Sequence, residues 1–325
     1  MLAQAGTSGK RALLPSTPTM SSTFFGRGIL VVFDTMRRAD VNCFELQKTC
    51  KLTFAASWQT SPGGLRVGPN SSGPKDKGFE KLLPLYSTPM AGYQIEGDEA
   101  AALYVHALFA ARDSKLGILE ANFVSLPFRL LNLVANEGAQ LAADLEQGCL
   151  HAAIADRLPE ATVKAINEAL GGANPKRAAQ LRVALSNPSE NGGGGDAAAD
   201  PLVGLAKRIW PNLRLILANA TGAFEVYAQR LQAGICQGTP ILSTILAASE
   251  GLMGIALTPS IDGKSSFCLV PRAMFFEFMP LATSGDKTRK EGELVGGTLL
   301  GHQLAVGDDY ELVITNLGGL YRYES

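Results

Sequence analysis

Leu213-Arg214-Leu215-Ile216-Leu217, then Asn219-Ala220-Thr221-Gly222-Ala223, then a helical pattern over 224–233, is the stretch that decides the fold. A β-branched and leucine-rich run passes into a turn of small residues and from there into a helix, the unit from which parallel α/β sheets are built. A short helix over 201–209 leads into it, and strands near 241–246 and 254–257 follow. Upstream, apolar residues at three- and four-residue spacing predict helices over 99–112, 126–147, 160–170 and 176–185, with Gly171-Gly172 as a stop and Asn174-Pro175 as a restart. Downstream the pattern turns to strands: 267–270, 274–279, 294–300, 310–316 and 320–323. The expected class is therefore α/β, with mixed sheets flanked by helices and an antiparallel, strand-rich C-terminal part.

Two stretches read as surface. Residues 63–77 carry Gly63-Gly64, Gly68 and Asn70-Ser71-Ser72-Gly73-Pro74 and predict a mobile loop, and residues 186–200, with Gly192 through Gly195, predict a flexible insertion between helices. The chain before about residue 95 mixes short apolar runs with Pro, Gly and Ser, around one helix beginning near Ser21 or Ser22.

The 325 residues are 46% hydrophobic and 18% charged, the balance of a protein with a large core. With 29 Lys+Arg against 30 Asp+Glu and no dense basic run, the charge that nucleic-acid binders need is missing. The five cysteines, Cys43, Cys50, Cys149, Cys236 and Cys268, are odd in number and scattered, which points to reduced thiols and a cytoplasmic protein. The apolar runs fall far short of the roughly 20 residues that cross a bilayer, so no membrane partner is expected.

Four places offer chemistry. Gly6-Thr7-Ser8-Gly9-Lys10 has the glycines, hydroxyls and cation that suit a phosphate, but only five residues stand ahead of it with no strand to hold it, and a plain surface turn has the same composition. Thr221-Gly222-Ala223 lies where open α/β sheets present backbone N–H groups to a ligand, and also where any strand meets any helix. Leu246-Ala247-Ala248-Ser249-Glu250 leaves space beside the backbone; Ser249 can donate to a phosphate oxygen and Glu250 can hold a hard cation such as Mg2+, although a Ser-Glu pair is equally a helix start. Arg322, in the closing aromatic and basic alternation, suits phosphate or carboxylate, or simply a solvent-facing edge strand.

Taken in order, these segments resemble the plant acyl-acid amido synthetases of the Gretchen Hagen family, within the adenylate-forming superfamily. Gly6-Thr7-Ser8-Gly9-Lys10 is similar to that family's Ser-Ser-Gly-Thr-Ser phosphate loop, and Trp210-Pro211-Asn212 followed by Ala220-Thr221-Gly222 and Tyr227 to its Trp-Pro-Asn, Thr-Gly and Tyr stretch. Ser243-Thr244 through Glu250 resembles its Tyr-Ala-Ser-Ser-Glu motif, Phe275-Phe276-Glu277-Phe278-Met279-Pro280 its Tyr-Phe-Glu-Phe-Leu-Pro strand, and Gly319-Leu320-Tyr321-Arg322-Tyr323 the beginning of its Tyr-Arg and Gly-Asp motif. The resemblance implies the large N-terminal-type domain of adenylate-forming enzymes and an ATP-dependent acid–amino acid ligase. A carboxylic acid, such as a plant-hormone-like acid, is activated as an acyl-adenylate and passed to an amino acid. By the same resemblance, Gly6, Thr7, Ser8 and Gly9 hold ATP phosphates with Lys10 as a catalytic cation; Thr221, Gly222 and Ala223 line the adenine pocket with Leu246, Ala247 and Ala248; Ser249 touches phosphate, Arg322 binds the nucleotide, and Glu250 is catalytic through Mg2+.

The match has departures. Leu246 stands where the family has Tyr, which removes one aromatic surface for adenine, and Glu324-Ser325 stands where an Arg-x-Gly-Asp would finish the last motif. The resemblance thus implies one incomplete large domain over 1–325, cut at both ends, without the family's small C-terminal domain and inactive by itself as a fragment; a monomer is expected. Two rival readings share its chemistry: a non-catalytic nucleotide-binding module, and an acyl-CoA or aryl-acid thioester ligase. Leu252, Met253 and Phe123 border an acyl pocket in this reading, or belong to the core.

Overall fold

The computed structural model describes residues 2–5, 11–14, 17, 28, 30–45, 47–68, 77–186, 200–248, 250–258, 265–281, 296–316 and 322–324. Strands β1 (Leu2–Ala5) and β2 (Arg11–Leu14) pair antiparallel from Leu2↔Leu14 to Ala5↔Arg11. That pairing corrects the expectation that no strand precedes residues 6–10: a strand flanks them on each side. The five residues themselves lie outside the described ones, as does the helix start expected near Ser21. The first named helix is α1 (Leu30–Ala39), and short helical turns follow at Lys77–Glu80 and Met90–Tyr93.

β3 (Lys48–Leu52) opens the principal sheet. A short hairpin follows, β4 (Gln59–Thr60) against β5 (Arg66–Val67), so the stretch expected as a mobile loop is in part paired strand, closed by a turn at Ser61–Gly64 whose Gly64 has φ +78°. Helix α2 (Glu99–Arg112) starts as expected because the Asp98 carboxylate accepts the Ala101 N–H at 2.9 Å. It leads into β6 (Leu116–Phe123) and the long helix α3 (Ser125–Gln147). Gly148 ends α3 at φ +76°, and a Cβ there would lie 2.2 Å from the Gly172 carbonyl carbon, so glycine is required on two counts. Helices α4 (Glu160–Leu170) and α5 (Pro175–Leu185) follow, the latter capped by the Asn174 side chain on the Arg177 N–H. Of the expected insertion, residues 187–199 lie outside the described ones.

Helix α6 (Leu205–Ile209) starts later than expected, since Gly204 adopts φ +69° and residues 201–204 form turns. β7 (Leu215–Asn219) sits two residues further along than the leucine run indicates, because the Leu213 N–H is used by the Trp210 carbonyl. After it come α7 (Glu225–Ala233) and β8 (Ile241–Leu242). The sheet order is β3-β6-β7-β8, all parallel. Its one face carries Cys50, Leu52, Leu119, Ile216 and Ala218 into the main core under α2, α3 and α5, and its other face carries Ile118, Leu215 and Leu242 against Val32 and Met36 of α1.

The expected strand over 241–246 breaks in two, because the chain leaves the parallel sheet at Ser243 and enters a hairpin of β9 (Ile245–Ala248) and β10 (Gly251–Ile255), joined at its edge by β11 (Cys268–Leu269). β12 (Met274–Pro280), β13 (Tyr310–Asn316) and β14 (Arg322–Glu324) form a second antiparallel sheet. The strand expected over 294–300 is, among the described residues, a single bridge from Leu299 to Phe278. Met253, Met274, Phe276 and Ile314 fill the space between these two sheets. No helix of the described residues is long and apolar enough to cross a membrane.

Several polar groups within this core are paired. Trp210 is fully buried and its indole N–H donates to the Ala110 carbonyl at 2.7 Å, while Arg177 donates to the carbonyls of Ala111 (2.6 Å) and Ile209 (3.0 Å). Asp144, 1% exposed, accepts from the Tyr104 hydroxyl (2.9 Å), the Gln140 amide (2.8 Å) and His151 Nδ1 (2.9 Å). Cys43 in the turn after α1 and Cys50 on β3 are buried free thiols on different elements, and burial pushes the Cys50 thiol up to about 12.

His106 is also fully buried, between the Thr88 hydroxyl on Nδ1 (2.8 Å) and the Thr53 carbonyl on Nε2 (3.2 Å). A carbonyl only accepts, so the proton sits on Nε2 and Thr88 donates to Nδ1. Burial pushes the imidazole pKa from 6.5 down to about 4. The unfolded chain therefore binds the proton more readily; stability is full above about pH 6.5 and is lost as pH falls toward 4. The melting temperature of His106→Gln is expected to vary less between pH 6.5 and 4 than that of the unsubstituted chain, as read by circular dichroism.

Candidate active site

β6, β7 and β8 all run the same way, so the turns that follow them collect at one edge of the sheet, the place where open α/β sheets bind ligands. At the end of β7 the Ala220 N–H donates to the Ser243 hydroxyl oxygen at 2.8 Å, and the Ser243 hydroxyl donates to the Ala218 carbonyl at 3.2 Å. One buried serine thereby ties the end of β7 to the point where the chain leaves β8. One residue on, the Asn219 side-chain oxygen accepts both the N–H (3.2 Å) and the hydroxyl (2.8 Å) of Thr221. Thr221 is therefore oriented by its own strand, with its proton committed and its oxygen left as an acceptor. Gly222 takes φ +59°, and nothing lies within 4 Å of where its Cβ would be; Gly222 and Ala223 are exposed. The turn presents open backbone.

Aromatic side chains border this turn. Phe123, at the end of β6 and 40% exposed, stacks on Phe224 with ring centroids 4.8 Å apart and planes 23° apart. Tyr227 supports the pair from 6.4 Å and is held in turn by Phe128 at 5.1 Å.

The β9–β10 hairpin brings together Leu246, Ala247, Ala248 and Glu250; Ser249 lies outside the described residues. Leu246 and Ala248 point into the core between the antiparallel sheets, against Met253, Met274 and Phe276. Leu252 and Met253 are buried as well, and Met253 belongs to that same core. Glu250 differs from every polar group described so far. It is 1% exposed, and neither carboxylate oxygen has a hydrogen-bond partner among the described residues. Burying an ionised carboxylate without a partner costs several kcal/mol or more, and the residue after it, Gly251, takes φ +139° with Met274 Cε 2.8 Å from where a Cβ would be.

Arg322 lies on the edge strand of the second sheet. Its guanidinium donates to both carboxylate oxygens of Glu277, Nε at 2.9 Å and Nη2 at 3.3 Å, and Glu277 also accepts the Thr298 hydroxyl at 2.7 Å. The Arg322 guanidinium, then Thr298, hold the Glu277 carboxyl below the usual carboxylate range. Gly6, Thr7, Ser8, Gly9 and Lys10 lie outside the described residues. Among the described residues no group of three or more His, Cys, Asp or Glu side chains could hold a metal ion.

The residues missed from sequence are Ser243, Asn219, Phe224 and Glu277. Ser243 and Glu277 fall within stretches that carry the resemblance, but only pairing across strands shows what each one holds.

Comparison with known proteins places the chain in a family. Residues 1–241 match the GH3 family N-terminal domain and residues 267–325 the GH3 family central domain. A probable indole-3-acetic acid-amido synthetase GH3.9 of Oryza sativa subsp. japonica is 30% identical over 256 residues, 77% of this chain and 51% of that protein. Indole-3-acetic acid-amido synthetase GH3.17 of Arabidopsis thaliana is 26% identical over 348 residues, 99% of this chain and 53% of that protein. The chain thus spans about half the length of these curated relatives. The solved structure of a GH3.15 acyl acid amido synthetase superposes with a TM-score of 0.74 at 21% identity, over 97% of this chain and 51% of that one. A second, of AtGH3.15 in complex with 2,4-DB, gives the same TM-score at 20% identity over 99% and 52%. These likenesses bear out the expected α/β class and the resemblance on which it rests.

Replacing Ser243 by Ala leaves the buried Ala220 N–H without its acceptor. A loss of about 1–3 kcal/mol is expected, measured as a fall in the urea midpoint at unchanged m-value.

Proposed function

Since this chain belongs to the GH3 family, we propose that it is the nucleotide- and acid-binding part of an ATP-dependent ligase that activates a carboxylic acid as an acyl-adenylate and joins it to an amino acid. The observation that supports the reading best is Glu250: a buried carboxylate with no hydrogen-bond partner among the described residues, set in the hairpin that leaves the carboxyl edge of the parallel sheet. In a chain whose other buried charges are paired, as Arg177 and Asp144 are, such a group is explained by a ligand of opposite charge. Mg2+ fits the donor set, since it commonly takes one or two protein carboxylates and completes its shell with water and substrate phosphates. When bound it would supply charge neutralisation to those phosphates.

The chain's own residues supply position. Thr221, fixed by Asn219, offers an oriented oxygen, and Gly222 and Ala223 leave the backbone open to a base or ribose. Gly6, Thr7, Ser8 and Gly9 with Lys10 would meet the phosphates, as would Ser249, through hydroxyl and backbone donors and one cation. Arg322 acts from within its pair with Glu277, which gives the guanidinium a fixed direction. No general base is required for this work, because adenylyl transfer depends on placement and charge stabilisation more than on proton abstraction. The acceptor class, an amino acid, and an indole-3-acetic-acid-like substrate are supported by what the relatives are named for; a soluble, cytoplasmic monomer completes the proposal.

Calorimetric titration with ATP, with and without Mg2+, tests the reading, followed by pyrophosphate exchange with a panel of carboxylic acids that includes indole-3-acetic acid. Glu250→Gln is expected to melt higher than the unsubstituted chain without ligand, because it removes an unpaired buried charge, and to lose at least ten-fold of the Mg2+-dependent gain in ATP affinity. Binding without exchange leaves the non-catalytic nucleotide module; no binding at all sinks both.

A further inference from the structure

We propose that Lys207 is a carbon dioxide site: its side-chain amine takes up the gas as a carbamate, which the guanidinium of neighbouring Arg214 holds. The place is the amino edge of the parallel sheet, at the start of β7 and not at the turn that follows it. Lys207 stands half-buried on α6, and its Nζ donates to the Leu213 carbonyl, which sets the amine beside the entry to β7. Arg214 follows directly, with its backbone N–H fixed on the Gly117 carbonyl at 2.7 Å. Its guanidinium is under-used. Nη1 stops 3.8 Å from Asp40 Oδ2 and Nη2 stops 3.8 Å from Glu45 Oε2, both beyond hydrogen-bond length, and the buried Nε has no hydrogen-bond partner among the described residues. A charged donor buried and left empty costs free energy, and an acceptor at Nε removes that cost. A free anion would meet Asp40 and Glu45 at the outer end of the guanidinium. A small uncharged gas meets no such barrier, and the negative charge is then made in place.

Lys207 has the chemistry for the step. Burial, then repulsion by Arg214, pushes its amine below the ordinary lysine range, against the opposing pull of Asp40. More of the amine is therefore neutral and nucleophilic. Its lone pair attacks the carbon of carbon dioxide: a nitrogen–carbon bond forms, one carbon–oxygen double bond opens to an oxyanion, and a proton leaves the nitrogen for water. A cation becomes an anion at the same position. The contact with Arg214 turns from like-charge repulsion into a charge-assisted pair, and α6 is tied to the start of β7.

The test adds carbon-13-labelled bicarbonate to the chain at mildly alkaline pH and reads the carbamate carbon by NMR. The expected spectrum has a carbamate resonance that is missing from Lys207→Arg, a variant that keeps the charge and a donor for the Leu213 carbonyl but has no nucleophilic amine. In Arg214→Gln the carbamate formation constant falls about ten-fold, the size of one charge-assisted hydrogen bond. In Asp40→Asn it rises, because the side chain still accepts the Asn42 N–H while the carboxylate that favours the protonated amine is gone; a variant that merely misfolds shows no such gain. Bicarbonate is also expected to raise the melting temperature of the unsubstituted chain relative to chloride at equal pH and ionic strength, and to leave that of Lys207→Arg unchanged. Absence of a carbamate resonance, its persistence in Lys207→Arg, or an unchanged formation constant in both folded Arg214→Gln and Asp40→Asn each overturn the assignment.

Discussion

The strands β3, β6, β7 and β8 are packed on both faces, so their backbone groups must find partners in the neighbouring strands and their connections must cross over the sheet as helices. Much else follows from that burial. Leu119 and Ile216 can be apolar on one face and Ile118 and Leu215 on the other only because α2 and α3 cover the first and α1 the second. Parallel strands with helical crossovers end at one edge, and the end of each strand becomes a turn at that edge. The open backbone at Gly222, the exposed ring of Phe123 and the exit toward the β9–β10 hairpin are all products of the same constraint.

Within this frame two kinds of polar group stand out. Ser243, Asn219, Arg177, Asp144 and the Trp210 indole each satisfy specific backbone or side-chain groups and lock one element to another. Their energetic role is to avoid the penalty of unpaired burial rather than to add large net stability. Glu250 belongs to the other kind, a carboxyl group excluded from water with no hydrogen-bond partner among the described residues. A stable fold tolerates such a group when something outside the chain makes up the difference, which is why the unsatisfied carboxylate has more functional content than the satisfied network around it.

How far the residues could be read in advance depended on how local their causes are. Helix Glu99–Arg112 and strand Tyr310–Asn316 are found where the pattern puts them, because a cap at Asp98 and an alternating run carry their own boundaries. The run near 241–246 reads as one strand, yet Ser243 turns the chain out of one sheet and into another to hold Ala220. Leu246 reads as a neighbour of a ligand, and its half-buried side chain also packs against Met253, Met274 and Phe276, since the face a side chain takes in a hairpin depends on the sheet that packs against it. Arg322 reads as suited to phosphate or carboxylate, and the carboxylate it holds, Glu277, lies 45 residues away in sequence.

The amino-acid sequence alone determined the α/β order, most of the helices, the reduced cysteines and the ordered set of short segments that carries the family resemblance. These rest on periodicity, turn chemistry and composition, which act over a few residues at a time. Only the tertiary structure decided that Ser243 joins two strand ends, that Glu250 is buried without a hydrogen-bond partner among the described residues, and that Phe123 and Phe224 stack beside an open turn. Each of those depends on which distant segments are brought into contact, and burial and pairing exist only once the sheet has been assembled.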